Sequence, residues 1–209
     1  MPKHFTRADT VIVLDFETTG LSPNMGDRAI EIGAVLVEQG EITASFQELM
    51  NPGMKVSAFI EDYTGITNAM LSEAAPCAEV MARFSGFIAG HNLVAHNASF
   101  DKRFLDAEFA RISCTYSGAF ACSLLAARRI FQEAPNHQLG TLVNYTNIPS
   151  QGSFHRALYD SEMTAKLWIA MLEHIGERYD LFDLPFSLIQ KLSKVPKKSV
   201  HTFLEKCRT

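Results

Sequence analysis

The feature that most constrains this chain is its first apolar run. Val11-Ile12-Val13-Leu14 is continuous and rich in β-branched residues, and it leads into Asp15-Phe16-Glu17. Such a run reads as a buried strand. Side chains alternate along a strand, so Val11, Val13, Asp15 and Glu17 share one side. An apolar stripe that closes on two carboxylates puts them at the C-terminal edge of a central strand, where ligands of open α/β sheets usually sit. Two adjacent carboxylates resist joint ionisation unless a cation lies between them. A hard divalent ion with oxygen ligands, Mg²⁺ or Mn²⁺, meets that need. The pair is a weak signal alone, because 23 acids among 209 residues produce acid-x-acid pairs by chance. Asp106-Ala107-Glu108 reads as one such accident on a polar helix face.

Two more strands follow, Ala29 to Val37 and Ile42 to Met50, with a hairpin at Gln39-Gly40. The rest alternates. Pro76 to Ile88 has a helical apolar face, Leu93 to Ala95 is a short strand, and Phe100 to Ile112 is an amphipathic helix. Ala119 to Cys122 reads as a strand, Leu124 to Phe131 and Gln138 to Thr146 as helices, and Ala157 to Ile175 as the longest helix. A meander followed by alternating strands and helices is an α/β pattern with a mixed sheet covered by helices.

Two further acids stand where helices begin. Asp101 lies in the first turn of the helix that follows His96-Asn97-Ala98-Ser99-Phe100. An acid is favourable there, and an ordinary helix-start role explains it when it is taken alone. After Gly152-Ser153, a flexible approach, His155 precedes the longest helix and Asp160 lies within its first turns. Asp160, Thr164, Leu167 and Met171 share a largely apolar face, so Asp160 points inward and wants a partner or a metal. As a set, four carboxylates and one histidine suit two divalent ions with a general base beside them. A histidine side chain ordinarily titrates near neutral pH, which suits it to take a proton from water.

These residues carry a resemblance to a known family. Asp15-Phe16-Glu17-Thr18-Thr19-Gly20-Leu21, Asn97-Ala98-Ser99-Phe100-Asp101 and His155-Arg156-Ala157-Leu158-Tyr159-Asp160 resemble, in order and spacing, the three motifs of the DEDDh 3′→5′ exonucleases. Thr64-Gly65-Ile66-Thr67 and Asn136-His137-Gln138-Leu139 resemble segments of its proofreading branch, the DNA polymerase III epsilon-like group. The resemblance covers residues 8–175. It implies an RNase H-like fold with a mixed five-stranded sheet. It implies that Asp15, Glu17, Asp101 and Asp160 hold two Mg²⁺ or Mn²⁺ ions, that His155 is the general base, and that nucleoside 5′-monophosphates leave a single-stranded 3′ end. Thr18, Thr19, Gly20 and Leu21 would lie against the terminal nucleotide, with Phe100 as an apolar surface and Thr64 and Asn97 nearby. Phe100 also fits a core position. Some members carry histidine where Thr64 stands, and an acid near Cys122-Ser123. DNA and RNA substrates both remain open, since no motif reports a contact to a 2′-hydroxyl. A binding module would be expected to have lost one of the five residues, and all five are present.

The formal charge is −4, which excludes binding nucleic acid by bulk positive charge alone. The charge is also uneven: residues 187–209 carry +5, leaving −9 on residues 1–186. The metal-site acids account for four of those negative charges, and two divalent ions would offset them. Lys102, Arg103 and Arg156 are then the local groups expected to draw phosphate. The chain divides into an exonuclease domain, residues 8–178, and a basic helical appendage, residues 179–209, which Pro196 splits in two. That appendage reads first as a solvated, surface-docked piece. Its functional readings are an arm on phosphates or a contact for a polymerase or repair-complex partner. Cys77, Cys114, Cys122 and Cys207 have no metal-ligand spacing and read as reduced thiols. No run approaches the ~18 apolar residues of a membrane span. A soluble cytoplasmic protein is expected.

Overall fold

The structure is a computed structural model in which residues 7–150 and 155–208 are described. Five strands form one mixed sheet: β1 (Val11–Thr18), β2 (Ala29–Glu38), β3 (Glu41–Leu49), β4 (Asn92–Ala95) and β5 (Phe120–Cys122). The order is β3-β2-β1-β4-β5. The hairpin strands pair antiparallel, and β4 and β5 add parallel on the other side of β1. The expected α/β, RNase H-like arrangement is therefore present. The two residues of the β2–β3 turn, Gln39 and Gly40, both have positive φ, as a two-residue type I′ hairpin requires.

Nine α-helices are described: α1 (Ala58–Thr64), α2 (Asn68–Glu73), α3 (Cys77–Phe87), α4 (Ser99–Arg111), α5 (Ser123–Ile130), α6 (Leu139–Tyr145), α7 (Ala157–Tyr179), α8 (Phe186–Leu192) and α9 (Val200–Glu205). The alternation of β1 sorts them into two layers. Ile12, Leu14 and Phe16 face α3 and α4, against Val80, Phe84, Phe104 and Phe109. Val11 and Val13 face α7, against Leu167, Trp168 and Met171. The helices α5, α6, α8 and α9 complete that second layer.

Residues 179–208 enter this second layer through their apolar side chains. Leu184, Phe186, Ile189, Leu192, Val200 and Leu204 are buried in it, while Lys191, Lys194, Lys197 and Lys198 point outward. Backbone contacts fix the junction, with Ala8 N donating to Leu184 O at 2.8 Å. No helix among the described residues is long and apolar enough to cross a membrane. All four cysteines are free thiols.

The fold corrects one reading of α4. Glu108 is not on a solvated face; it is buried and receives both Nε and Nη2 of Arg28, at 2.7 and 2.9 Å. Its spacing from Asp101, Phe104 and Leu105 is i+7, i+4 and i+3, so it belongs to the inward stripe. Asp106 does stay outside, paired with Lys102 at 2.5 Å.

Candidate active site

The site forms where β1 outruns its parallel neighbour. The β1–β4 ladder ends at Val13 and Val94. Beyond it Phe16 N has no strand partner on that side, and Asp101 Oδ1 accepts its hydrogen bond at 3.2 Å. Asp101 thereby arrives from the α3–α4 layer, in the first turn of α4, and is buried. Asp15 and Glu17 lie on the opposite side of the strand. Asp160 reaches them from the first turn of α7.

The approach of α7 depends on β2. Gly33 is the cross-strand neighbour of Asp15. A Cβ on Gly33 would stand 2.1 Å from the backbone carbon of Ala157. The helix start therefore lies directly on glycine, and Ser161 Oγ donates to Gly33 O at 2.9 Å. Two residues earlier, Glu31 faces Glu17 across the strands and is fully buried. Its carboxylate accepts from Ala157 N at 3.1 Å and from Arg156 Nη2 at 2.9 Å. It also accepts from Gln47 Nε2 at 2.8 Å. Glu31 so supplies the anion at the start of α7, where no side chain of the N-cap itself does.

Gly33 and Glu31, which seat the start of α7, are positions the sequence reading passed over. Their signal was present: one acid and one glycine interrupt Ala29-Ile30-Glu31-Ile32-Gly33-Ala34-Val35. We expect Gly33→Ala to displace the start of α7, with a stability loss of about 1–3 kcal/mol. A shift of about 1 Å at a reacting group costs on the order of 10²-fold in rate. Urea midpoints and kcat measured together check this, and wild-type values for both would rule out the packing argument.

His155 has φ +71°, and its backbone N–H donates to Asp160 Oδ2 at 2.8 Å. This bond ties the loop to the same carboxylate that faces Glu17. Ligand atoms of Glu17, His155 and Asp160 lie within 4.8 Å of one another. The imidazole is exposed and packs on Tyr63, ring centroids 4.0 Å apart. Gly152-Ser153, the expected flexible approach, lies outside the described residues.

Asp15, Glu17, Thr18, Thr19, Gly20, Leu21, Thr64, Phe100, His155 and Asp160 line one cavity of about 670 Å³. Leu21 is 77% exposed at its rim. Phe100 is half-buried, packed on Phe104 while facing the cavity. The Thr64 hydroxyl donates to Ile60 O at 2.8 Å and accepts from Ile66 N, so it also closes α1. Asn97 is exposed with φ +70° on the approach to α4, outside the residues that line the cavity. The sequence reading missed Phe59 and Tyr63, which add two stacked, exposed rings to the cavity wall, 5.8 Å apart.

Burial pushes Glu17 up to about 8, and the neighbouring carboxylates of Asp160, Glu31 and Asp101 add to it. Burial, then the charge of Asp101, raises Asp15 well above the ordinary carboxylate range. Asp101 and Asp160 are raised by burial too, each held back by the backbone N–H it accepts. Arg156 opposes the charge on Glu17, but its guanidinium is bonded to Glu31. Converging buried carboxylates whose main defect is mutual repulsion are a donor set suited to divalent cations.

Two of the cations expected to draw phosphate are already neutralised. Arg156 pairs with Glu31 and Lys102 with Asp106. Arg103 lies over the Phe100 ring and donates to Ser99 O at 3.1 Å. The motif-flanking segments have structural tasks. His96 is mostly buried and held between Ser123 Oγ and His137 O, at 2.8 and 3.0 Å. Burial drives its pKa down to about 4, so it is a neutral strut between β4, α5 and the loop before α6.

Residues 12–168 match the exonuclease family RNase_T. DNA polymerase III PolC-type from Caldanaerobacter subterraneus subsp. tengcongensis is 37% identical over 166 residues, covering 79% of this chain and 12% of that protein. The Bacillus subtilis PolC-type polymerase is 38% identical over 172 residues, covering 81% and 12%. The chain thus spans about an eighth of the curated relatives it matches. Among solved structures, Exonuclease X in complex with 5′ overhanging duplex DNA aligns with TM-score 0.68 at 25% identity, over 88% of this chain and 99% of that one. The nuclease domain of 3′hExo, a DEDDh family member bound to rAMP, shares the fold with TM-score 0.68 at 20% identity, over 79% and 92%. The chain belongs to the exonuclease family, whose DEDDh members depend on divalent metal.

Proposed function

We propose that this enzyme hydrolyses the terminal phosphodiester at single-stranded or frayed 3′ ends of DNA and releases nucleoside 5′-monophosphates. DNA is favoured because the matching relatives are DNA polymerases. The observation that carries the reading is the convergence of Asp15, Glu17, Asp101 and Asp160 from both helical layers, with His155 beside Glu17 and Asp160. Asp15, Glu17, Asp101 and Asp160 would hold two divalent ions, Mg²⁺ or Mn²⁺. Bound there, the ions supply Lewis-acid stabilisation of the phosphodiester and a more acidic attacking water.

The chain's own groups do the rest. His155, exposed on the cavity side, accepts the proton of the attacking water. Asp160 positions it through the His155 N–H. Thr18, Thr19, Gly20, Leu21, Thr64 and Phe100 receive the terminal nucleotide. Asn97 shapes the loop, its carbonyl accepting from Phe100 N, and stands exposed on the approach to the cavity. Phe59 and Tyr63 offer flat apolar surface to a base.

The test is a product assay on 3′- and 5′-labelled single-stranded DNA and RNA with Mg²⁺, Mn²⁺ and EDTA. Mononucleotides released from the 3′ end of DNA, and none in EDTA, are expected. Faster release from RNA would make this an RNA-trimming enzyme, and binding without release would make it a scaffold.

A pH dependence follows from the same carboxylates. Unfolded, Glu17 ionises near 4.5; folded and metal-free, it does so near 8. The folded state therefore binds more protons in that window, and stability falls as pH rises through it. In EDTA the melting temperature should drop between about pH 5 and pH 9, and saturating Mg²⁺ should flatten the drop. A midpoint that rises with pH in EDTA would show that the carboxylates are not jammed together.

A further inference from the structure

A second cleft, of about 430 Å³, lies between the end of α5, the C-terminal half of α7 and the last helical pieces. It is remote from the carboxylates. Asp160 lies in the first turn of α7, whereas His174 and Arg178 follow 14 and 18 residues later. At 1.5 Å per residue, the separation along the helix is about 21–27 Å.

The cleft gathers Arg129, Arg178, Lys197 and Lys198 with His174 and His201. Glu133 is the acid in its lining; Glu177 stands near His174, and Glu205 is paired with His201 at 3.2 Å. Arg178, Lys197 and Lys198 have no ion pair among the described residues. Their placement is built rather than incidental. Arg129 Nε donates to Val195 O at 2.8 Å, and Gln132 Nε2 donates to Lys197 O at 3.1 Å. These bonds fasten the lysine-bearing turn to the body. Of the rings beside the cations, Tyr145 is the exposed one and packs on the buried Phe131, while Arg178 lies over the buried Tyr179, 5.7 Å from its centroid. Burial, then the charge of Arg178, lowers the His174 pKa, and the charge of Glu177 opposes the shift.

Cations interleaved with aromatic faces are the groups that hold single-stranded nucleic acid. We propose that this cleft is a second nucleic-acid contact, which holds backbone phosphates of a single strand several nucleotides from the 3′ end. The proposal rests on the exonuclease reading of the first site. It also assigns a task to two of the basic residues after 187, Lys197 and Lys198: the acidic body carries the chemistry, and the cleft supplies attraction for the strand at a distance from it. At ~3.4 Å per stacked nucleotide, about six to eight nucleotides span the separation. A trinucleotide cannot reach both places, and a 20-mer can.

The experiment compares the wild type with the triple variant Arg178→Ser, Lys197→Ser, Lys198→Ser on both substrates in Mg²⁺. The expected result is a KM for the 20-mer about tenfold higher, with a salt slope smaller by about 2 for three lost phosphate contacts. The trinucleotide KM and both kcat values should stay within about twofold of wild type, on the same counting of lost contacts. A Lys197→Arg, Lys198→Arg variant should keep the wild-type values. An unchanged 20-mer KM and salt slope overturn the proposal, including the case in which the triple variant instead loses a protein partner. Anisotropy of a labelled 20-mer reads the cleft even if no hydrolysis occurs. A wild type that binds but releases nothing would sink the exonuclease reading and leave the cleft standing.

Discussion

Replacing His155 with alanine is expected to slow mononucleotide release by about 10²–10⁴-fold, the usual contribution of a general base. The argument is geometric. The ring stands free at the cavity while its backbone is pinned by Asp160 and its face rests on Tyr63. Removing an exposed side chain leaves the core untouched, so the melting temperature should not move. One alternative needs separating, because the His155 ring nitrogens also lie within metal-ligand reach of Glu17 and Asp160. If His155 only takes a proton, Mg²⁺ affinity in the variant matches wild type and kcat alone falls. If it is a ligand, affinity falls with kcat. Activity within tenfold of wild type would refute both roles.

The parts of this site that could be read in the sequence are those whose environment is set by periodicity. Asp15 and Glu17 follow from the two-residue alternation of β1, and Asp160 from the buried stripe it shares with Thr164, Leu167 and Met171. Glu31 and Gly33 are set by a neighbour 120 or more residues away, the start of α7, and a local pattern carries no record of that approach. Phe59 and Tyr63 were missed for another reason. The helices α1 and α2 have seven and six residues, and each has one buried residue, Thr64 and Leu71. That is too few apolar positions to establish a helical period. Glu108 was legible from its place on the Asp101–Phe104–Leu105 stripe, but a charged side chain on that stripe is stable only with a buried counter-charge, which the local sequence does not contain. Arg28, its partner, lies 80 residues away.

Ending the chain after Asp180 is expected to unfold the protein. The cut removes Leu184, Phe186, Ile189, Leu192, Val200 and Leu204, all buried against the α7 side of the sheet. Each such side chain contributes about 1.5–3 kcal/mol, so the loss is on the order of 9–18 kcal/mol. Native domains have only about 5–15 kcal/mol in total. Trp168 would lose Phe186 from beside it, and Ala8 the carbonyl of Leu184. Circular dichroism on the truncated chain should show no cooperative melt, and a midpoint near wild type would show that the last residues are separable. Serine at Lys191, Lys194, Lys197 and Lys198 should instead leave the melt intact, because these side chains are exposed. The two results together locate the two roles of the same stretch: its apolar side chains hold the fold, and its cations are free to bind. A truncation that abolishes activity therefore says nothing about what the cations bind, and only the charge substitutions can.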